Sequence, residues 1–395
     1  MTPGGRAQAA IELLDAIIAA ARDPGAAADT LIARYFAERR YAGSKDRRAV
    51  RELVYAAIRR AGERPESGRA ALVGLADEDA AIAACFTGEG HAPVPIAAAE
   101  PRAAAGAAPA WLDARLRQAG LDDDELAALS DRAPLDVRVN RLKGERDEAL
   151  GAIPGAIAVP HSPDGLRLPA GTAVEQLDAF RSGLIEVQDE GSQIVTLAAK
   201  AKPGMAVVDL CAGAGGKSLA LAAAMANRGT LLACDIDRGR LSRLPPRAER
   251  AGAAIVETRL MNPDREAEAL SDWHERADVV LVDAPCSGTG TWRRNPEARW
   301  RLTPERLDRL VATQQRLLAL AAGLVRPGGA LVHIVCSLLD EEGAGQVDRF
   351  LADHPGWQAE RLDLPAGRPR GQGVRLTPAH DGTDGFFVAR LAAPC

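Results

Sequence analysis

The sequence predicts an α/β protein whose carboxyl-terminal half is a doubly wound, mostly parallel sheet, preceded by a small α+β segment and an all-helical module. Three observations lead there. From about Gln188 onward, short apolar runs of strand length alternate with helix-length segments, the order that builds parallel sheets covered on both faces. The first 87 residues carry apolar side chains at helical spacing instead. Between Gly88 and Pro109 the chain is rich in Gly, Pro and Ala without a period, which reads as a linker.

In chain order, Ile11, Leu14, Ile17 and Ile18, then Leu31, Ile32, Tyr35 and Phe36, then Val50, Leu53, Val54 and Ile58 mark amphipathic helices over residues 1–87. Ala110 to Asp131 predicts two more helices, and Asp136–Asn140 and Gly165–Leu168 predict short strands, so residues 110–187 form the small α+β segment. Residues 188–395 then read as strand Ala206–Leu210, a helix from Gly216, strand Thr230–Asp235, a helix ending at Ala251, strand Asp278–Asp283, a helix from Thr303 and strand Ala330–Cys336. A last strand falls within Asp384–Leu391. No internal repeat is present.

A chain of 395 residues with 47% hydrophobic content supplies cores for two or three domains. The six cysteines include no C-x-x-C pair, which argues against a disulfide framework and against a structural zinc site, so reduced thiols and a cytoplasmic location are expected, with no metal. The amino terminus lacks the signal-peptide pattern and no apolar run reaches the ~18 residues of a membrane span, so neither secretion nor a membrane partner is expected. The net charge is −5, yet Glu38 to Arg60 holds eight Arg/Lys against three Asp/Glu. Local clustering of this kind matters more for polyanion contact than the sum; on its own it also fits a solvated helix face.

Two cysteines stand where strands end, in Asp283-Ala-Pro-Cys286-Ser-Gly-Thr and Val335-Cys336-Ser337. Open α/β sheets place ligands at that carboxyl edge, and neighbouring strands lie about 4.8 Å apart. Two thiols so placed face one substrate, one as nucleophile and the other within reach of a later step. Free cysteine is also a common core filler, but here Asp283 precedes Cys286 by three residues, so a carboxylate and a thiol leave one strand end together. That set suits thiolate addition to an electron-poor ring, with the acid offsetting charge on a ring nitrogen. Upstream, Cys211-Ala212-Gly213-Ala214-Gly215-Gly216-Lys217 follows a strand and opens a helix, as anion-holding loops do. It is not a P-loop, and alone it fits a structural turn or another nucleotide equally. Asp235 ends the next strand, where such folds bond a ribose hydroxyl; a plain helix cap is the competing role, for which Asp237 is a rival.

Together with Arg138-Val-Asn140, Val187-Gln-Asp-Glu-Gly-Ser-Gln193, Trp292-Arg-Arg-Asn-Pro296, Val335-Cys336-Ser337-Leu-Leu-Asp-Glu-Glu342 and Asp384-Gly-Phe-Phe387, these motifs resemble the RNA cytosine-5 methyltransferases of the RsmB/Sun (Fmu) type, from roughly Pro134 to the end. Arg39-Arg-Tyr-Ala-Gly-Ser-Lys-Asp-Arg-Arg48 and Glu52-Leu-Val-Tyr55 are similar to the NusB-like RNA-binding module joined to that branch. The resemblance implies a Rossmann-like class I methyltransferase domain that holds S-adenosylmethionine on Cys211 to Lys217, with Asp235 on the ribose, Asn262 near the adenine and Asp283 between cofactor and base. It implies Cys336 as nucleophile, Cys286 as the thiol that helps release product, and Lys217 with Asp283 in the catalytic set. The implied partner is RNA, ribosomal above all and transfer RNA as the alternative, bound by a monomer in single-stranded or opened form. Arg293 and Arg294 would position phosphates. A non-catalytic ribosome-assembly factor is the reading from another class, and DNA methylation is weaker because it would not require Cys336. The chain departs from the family at Ala214, where proline is commoner and a slightly looser turn is expected. It departs again at Arg259-Leu-Met-Asn262, which lacks the usual Gly-Asp, and at His333-Ile-Val-Cys336, which replaces a hydroxyl-rich approach to the nucleophile.

Overall fold

The computed structural model describes residues 1–21 and 25–395. The chain divides into two units, Met1–Arg132 with Thr291–Pro304, and Ala133–Gly290 with Glu305–Cys395.

The first unit is helical. Its main helices are Pro3–Ala20, Ala28–Glu38, Ser44–Arg60 and Gly68–Ala76, followed by Ala110–Gln118 and Asp123–Ala128. Local chemistry starts them: the Thr2 hydroxyl accepts from the Gly5 amide with Pro3 in the first turn, and Ser67 accepts from the Ala70 amide. The apolar positions Ile11, Leu14, Ile17, Ile32, Phe36, Val50, Val54 and Ile58 are buried in one core, while Ile18, Leu31, Tyr35 and Leu53 pack at its edge. Residues 88–109, expected to be a linker, run along these helices: Ala103 N donates to Ala70 O at 3.0 Å and Gly106 N to Arg60 O at 3.0 Å. Helices 110–118 and 123–128 belong to this unit and not with the strands that follow. Helical periodicity shows that a face is buried, not which neighbour buries it.

Residues 291–304 join the first unit from far along the chain. Pro296–Arg301 is a 3₁₀ stretch with Glu297, Arg299 and Trp300 buried. Glu297 Oε1 accepts from the Ala28 amide at 3.0 Å, starting a helix that has no side-chain cap of its own. Arg299 Nη2 donates to the carbonyls of Ile58, Arg59 and Ala61 at 2.6, 2.9 and 2.8 Å, closing the end of helix Ser44–Arg60. A cation there satisfies orphan carbonyls and opposes the negative end of the helix dipole.

The second unit holds two sheets. The small one is antiparallel, in order β2-β3-β1-β4, built from β1 Leu135–Val139, β2 Ile157–Ala158, β3 Gly165–Leu168 and β4 Ile185–Val187. Among the described residues the large sheet has nine strands: β5 Ala206–Asp209, β6 Thr230–Asp235, β7 Val256–Leu260, β8 Ala277–Asp283, β9 Val325–Val335, β10 Gln358–Glu360, β11 Arg368–Arg370, β12 Gly373–Leu376 and β13 Phe386–Ala392. Its order is β11-β12-β13-β9-β8-β5-β6-β7, with β10 paired to β13. Strands β7, β6, β5, β8 and β9 are mutually parallel, and β13 returns antiparallel to β9. Both faces are covered, so the strands are apolar throughout: Val207, Leu231, Val279, Leu281 and Val332 enter one core, Val208, Leu232, Val280, Val282 and Leu331 the other. The chain runs from β5 outward to β7 and then crosses to β8 and β9, which puts the topological switch at the carboxyl ends of β5 and β8. No helix among the described residues is long and apolar enough to cross a membrane.

Candidate active site

The loop after β5 is shaped by its glycines. Gly213 and Gly215 have φ of +57° and +87°, and Gly215 is the N-cap of helix Gly216–Ala224. A β-carbon on Gly215 would sit 2.1 Å from Leu244 Cδ1, so only glycine fits both the dihedral and the space. Asp235, at the end of β6, closes this loop from the side. Its Oδ2 accepts from the Gly213 amide and its Oδ1 from the Asp237 amide, each at 2.7 Å. Asp237 takes the cap role, accepting from Arg240 N at 3.0 Å. Arg247, held by Glu186 at 3.0 Å, donates to the Ala214 carbonyl and braces the turn from outside where the family more often has proline.

The strand ends of β5 and β8 gather charge. Lys217 Nζ lies 2.7 Å from Asp283 Oδ2 and 5.6 Å from the Phe386 ring centre. Burial works against the Lys217 charge, but Asp283, and in smaller measure Cys336 and Asp209, hold the ammonium above its usual range. Asp209, which no motif singled out, is wholly buried at the end of β5 with Oδ2 accepting from Ser218 Oγ at 2.6 Å. Burial first, then the Asp283 and Asp235 charges, push its carboxyl up to about 7.

The two thiols meet. Cys286 Sγ is 3.4 Å from Cys336 Sγ, and both residues are partly exposed. The Cys336 sulfur, then burial, push the Cys286 thiol up, and either sulfur can be the donor in the contact between them. His333, two residues before the end of β9, is buried, and burial lowers it to about 4. It is neutral near pH 7, and its Nε2–H donates to the Glu342 carbonyl at 2.9 Å. This supplies the hydrogen bonding of the unusual approach to Cys336.

Other expected residues have structural partners. Asn140 Nδ2 donates to Gly183 O at 2.9 Å and Ala251 O at 2.8 Å, and Arg138 donates to Gln188 Oε1 at 2.7 Å. Asn262 is exposed beyond β7, next to Met261, whose amide donates to Asp235 O at 2.9 Å; among the described residues no side-chain hydrogen bond draws Asn262 into the charged cluster. Trp292 and Arg293 are buried in the first unit rather than lying on a surface. Sequence reasoning missed Asp209, Ser218 and the buried hydrogen-bonding set around Glu342. The signal available for these was polar residues inside otherwise apolar strand ends. Among the described residues there is no cluster of side chains fit to hold a metal.

A model of the family described as 16S rRNA methyltransferase RsmB/F matches residues 195–392. The probable ribosomal RNA small subunit methyltransferase B of Synechocystis sp. is 35% identical over 283 residues, covering 68% of this chain and 63% of the relative. The ribosomal RNA small subunit methyltransferase B of Xylella fastidiosa is 38% identical over 294 residues, covering 72% of this chain and 68% of the relative. The match to the Synechocystis protein thus spans less than two thirds of that protein's length. The crystal structure of PH0851 shares the fold, with a TM-score of 0.77 over 99% of each chain at 24% identity. On the family model and these identities, the chain belongs to the RsmB/F family of 16S rRNA methyltransferases.

Proposed function

We propose that this protein transfers a methyl group from S-adenosylmethionine to carbon 5 of a cytosine in RNA, small-subunit ribosomal RNA in particular, through a covalent bond to Cys336. The observation that carries the reading is the thiol pair 3.4 Å apart at the strand ends that also present the Lys217–Asp283 pair. Carbon 5 of cytosine is too weak a nucleophile to take a methyl group directly. Addition of the Cys336 sulfur at carbon 6 forms an S–C bond and pushes the ring electrons toward carbon 5 and nitrogen 3. The negative charge that develops there is offset by the Lys217 ammonium, which Asp283 holds at 2.7 Å beside the thiols.

The residues present fit the cofactor. The space beside Gly216, where a β-carbon would stand, is open and allows a close approach of ligand to backbone, the start of helix Gly216–Ala224 offers amides, and Asp235 bonds the same loop at the Gly213 amide, on the side proposed for the ribose. When bound, S-adenosylmethionine supplies an electrophilic methyl group. After its transfer the Cys286 sulfur, as thiolate, takes the carbon 5 proton, the electrons of that C–H bond re-form the carbon 5–carbon 6 double bond while the Cys336–carbon 6 bond breaks and returns its pair to the Cys336 sulfur, and the proton passes from Cys286 to solvent. In the first unit, Arg40, Lys45, Arg48 and Arg51 are exposed along the basic segment, with Tyr41 75% exposed among them. Cations interleaved with an aromatic ring suit an RNA backbone and an unstacked base.

The test is methylation of unmodified 16S rRNA with labelled cofactor, mapped base by base, alongside cofactor affinity by calorimetry. Cys336→Ala should abolish transfer and leave cofactor binding intact. Full activity in that variant overturns the assignment of the nucleophile. Label appearing only in transfer RNA would move the substrate but keep the chemistry.

A further inference from the structure

The β8–β9 ladder ends at the pair Asp283–Ile334 and the β9–β13 ladder at Val335–Phe387, so Cys286 and Cys336 both lie just past strand pairing and their mutual spacing is set by the turns that carry them. Just behind the thiols is a buried polar hub. Glu342 is fully buried, and its Oε1 accepts from the Ser287 amide at 2.8 Å and from Gln314 Nε2 at 3.0 Å. Its Oε2 bonds the Ser287 hydroxyl, and the Ser337 hydroxyl is a further partner. Ser287 Oγ and Ser337 Oγ are 3.1 Å apart, and Thr289 Oγ1 lies 3.2 Å from Ser337 Oγ while accepting from Leu338 N at 2.8 Å. Gln314 also donates to the Pro285 carbonyl at 3.0 Å. Ser287 and Ser337 each directly follow one of the two cysteines.

We propose that Glu342 is a positioning residue whose carboxyl group ties the loop bearing Cys286 to the turn bearing Cys336 and so sets the spacing of the two thiols. What the thiols do rests on the reading above; their spacing does not. A buried carboxyl is costly unless its lone pairs are used, and here both oxygens are used by the two thiol-bearing segments and by Gln314. Burial also pushes Glu342 upward, toward the neutral form. A neutral amide of the same shape therefore serves: in Glu342→Gln the Oε1 still accepts from Ser287 N and Gln314, and the Nε2 donates to Ser287 Oγ.

The experiment uses phenylarsine oxide on the full chain. Its arsenic exchanges oxygen for two thiol sulfurs, releasing water, only where both sulfurs reach one atom. Mass spectrometry locates the bridge, with Cys85 and Cys395 as internal controls for single-thiol reactivity. Wild type and Glu342→Gln should bridge Cys286 to Cys336 at similar rates. Glu342→Ala should bridge at least about tenfold more slowly while each thiol still alkylates singly, and its methyl-transfer kcat should fall with cofactor affinity unchanged. Glu342→Asp, which withdraws the carboxyl by one methylene, should show the same slowing and decides the matter if the alanine variant does not fold. Bridging at the wild-type rate in either variant, or an equal loss in Glu342→Gln, overturns the proposal. A wild-type chain that bridges in a Glu342-dependent way but methylates no RNA would sink the functional reading and leave the positioning role standing.

Discussion

Asp209→Asn gives a quantitative handle on the floor of the site. Asp209 is fully buried; Ser218 holds one oxygen, and the other, Oδ1, is buried without a hydrogen-bond partner among the described residues. Its carboxyl moves from 3.8 to about 7, burial being the main cause, so between those values the folded chain binds one more proton than the unfolded chain. The sign follows: the protonated carboxyl favours the folded state fully below about pH 4, and that contribution is lost as pH rises through about 7. The slope is about 1.4 kcal/mol per pH unit, or tenfold in the opening equilibrium. Asparagine keeps the shape and an oxygen for Ser218 but does not titrate. Amide hydrogen exchange in β5 and β8, compared between wild type and variant at the same pH, isolates this component from the other unit and from intrinsic exchange. From pH 5 to pH 7 the wild-type opening constant should rise about 50-fold relative to the variant, roughly 2 kcal/mol, and then level off above pH 7. A ratio that stays flat from pH 5 to 8, or one that falls, refutes the argument that burial keeps this carboxyl protonated.

Cys286→Ala should still add to RNA and methylate it but fail to let go, leaving a methyl-labelled adduct that survives denaturing electrophoresis and vanishes when Cys336 is also removed; trapping by Cys336→Ala instead would reverse the two roles. Asp235→Ala should weaken cofactor binding by about 1.5–3 kcal/mol, since it would lose both the ribose bond proposed for it and the carboxylate that holds the Gly213 amide. Calorimetry should find a smaller effect for Asp237→Ala, and equal effects would contradict the ribose assignment. Charge reversal at Arg47 and Arg48 should weaken RNA binding and reduce the slope of log affinity against log salt by about 0.7–0.9 for each phosphate no longer neutralised; an unchanged slope marks the segment as a solvated face. Removing the helical module outright is a poorer test, because it would strip Glu297, Arg299 and Trp300 of the backbone they bond.

The alternation of apolar runs and helices was readable from composition and period alone, because parallel strands buried on both faces must be continuously apolar, as Val279 to Val282 and Leu331 to Val335 are apart from His333. The same logic hid β7, an edge strand whose Glu257 and Thr258 face solvent, and β11 and β12, which are short and antiparallel. The paired cysteines, the glycine loop and Asp283 were also legible, since each stands where a strand must end. Tertiary structure alone decided the rest. The 3.4 Å thiol contact, the Lys217–Asp283 pair and the shifted carboxyl of Asp209 depend on segments that lie about 50, 66 and 9 residues apart in sequence. Arg299 closing a helix some 240 residues earlier has no local signature at all. Period and motif record what a residue shares with its neighbours along the chain; burial, charge coupling and the satisfaction of Glu342 are set by neighbours across it, and only folding brings those together.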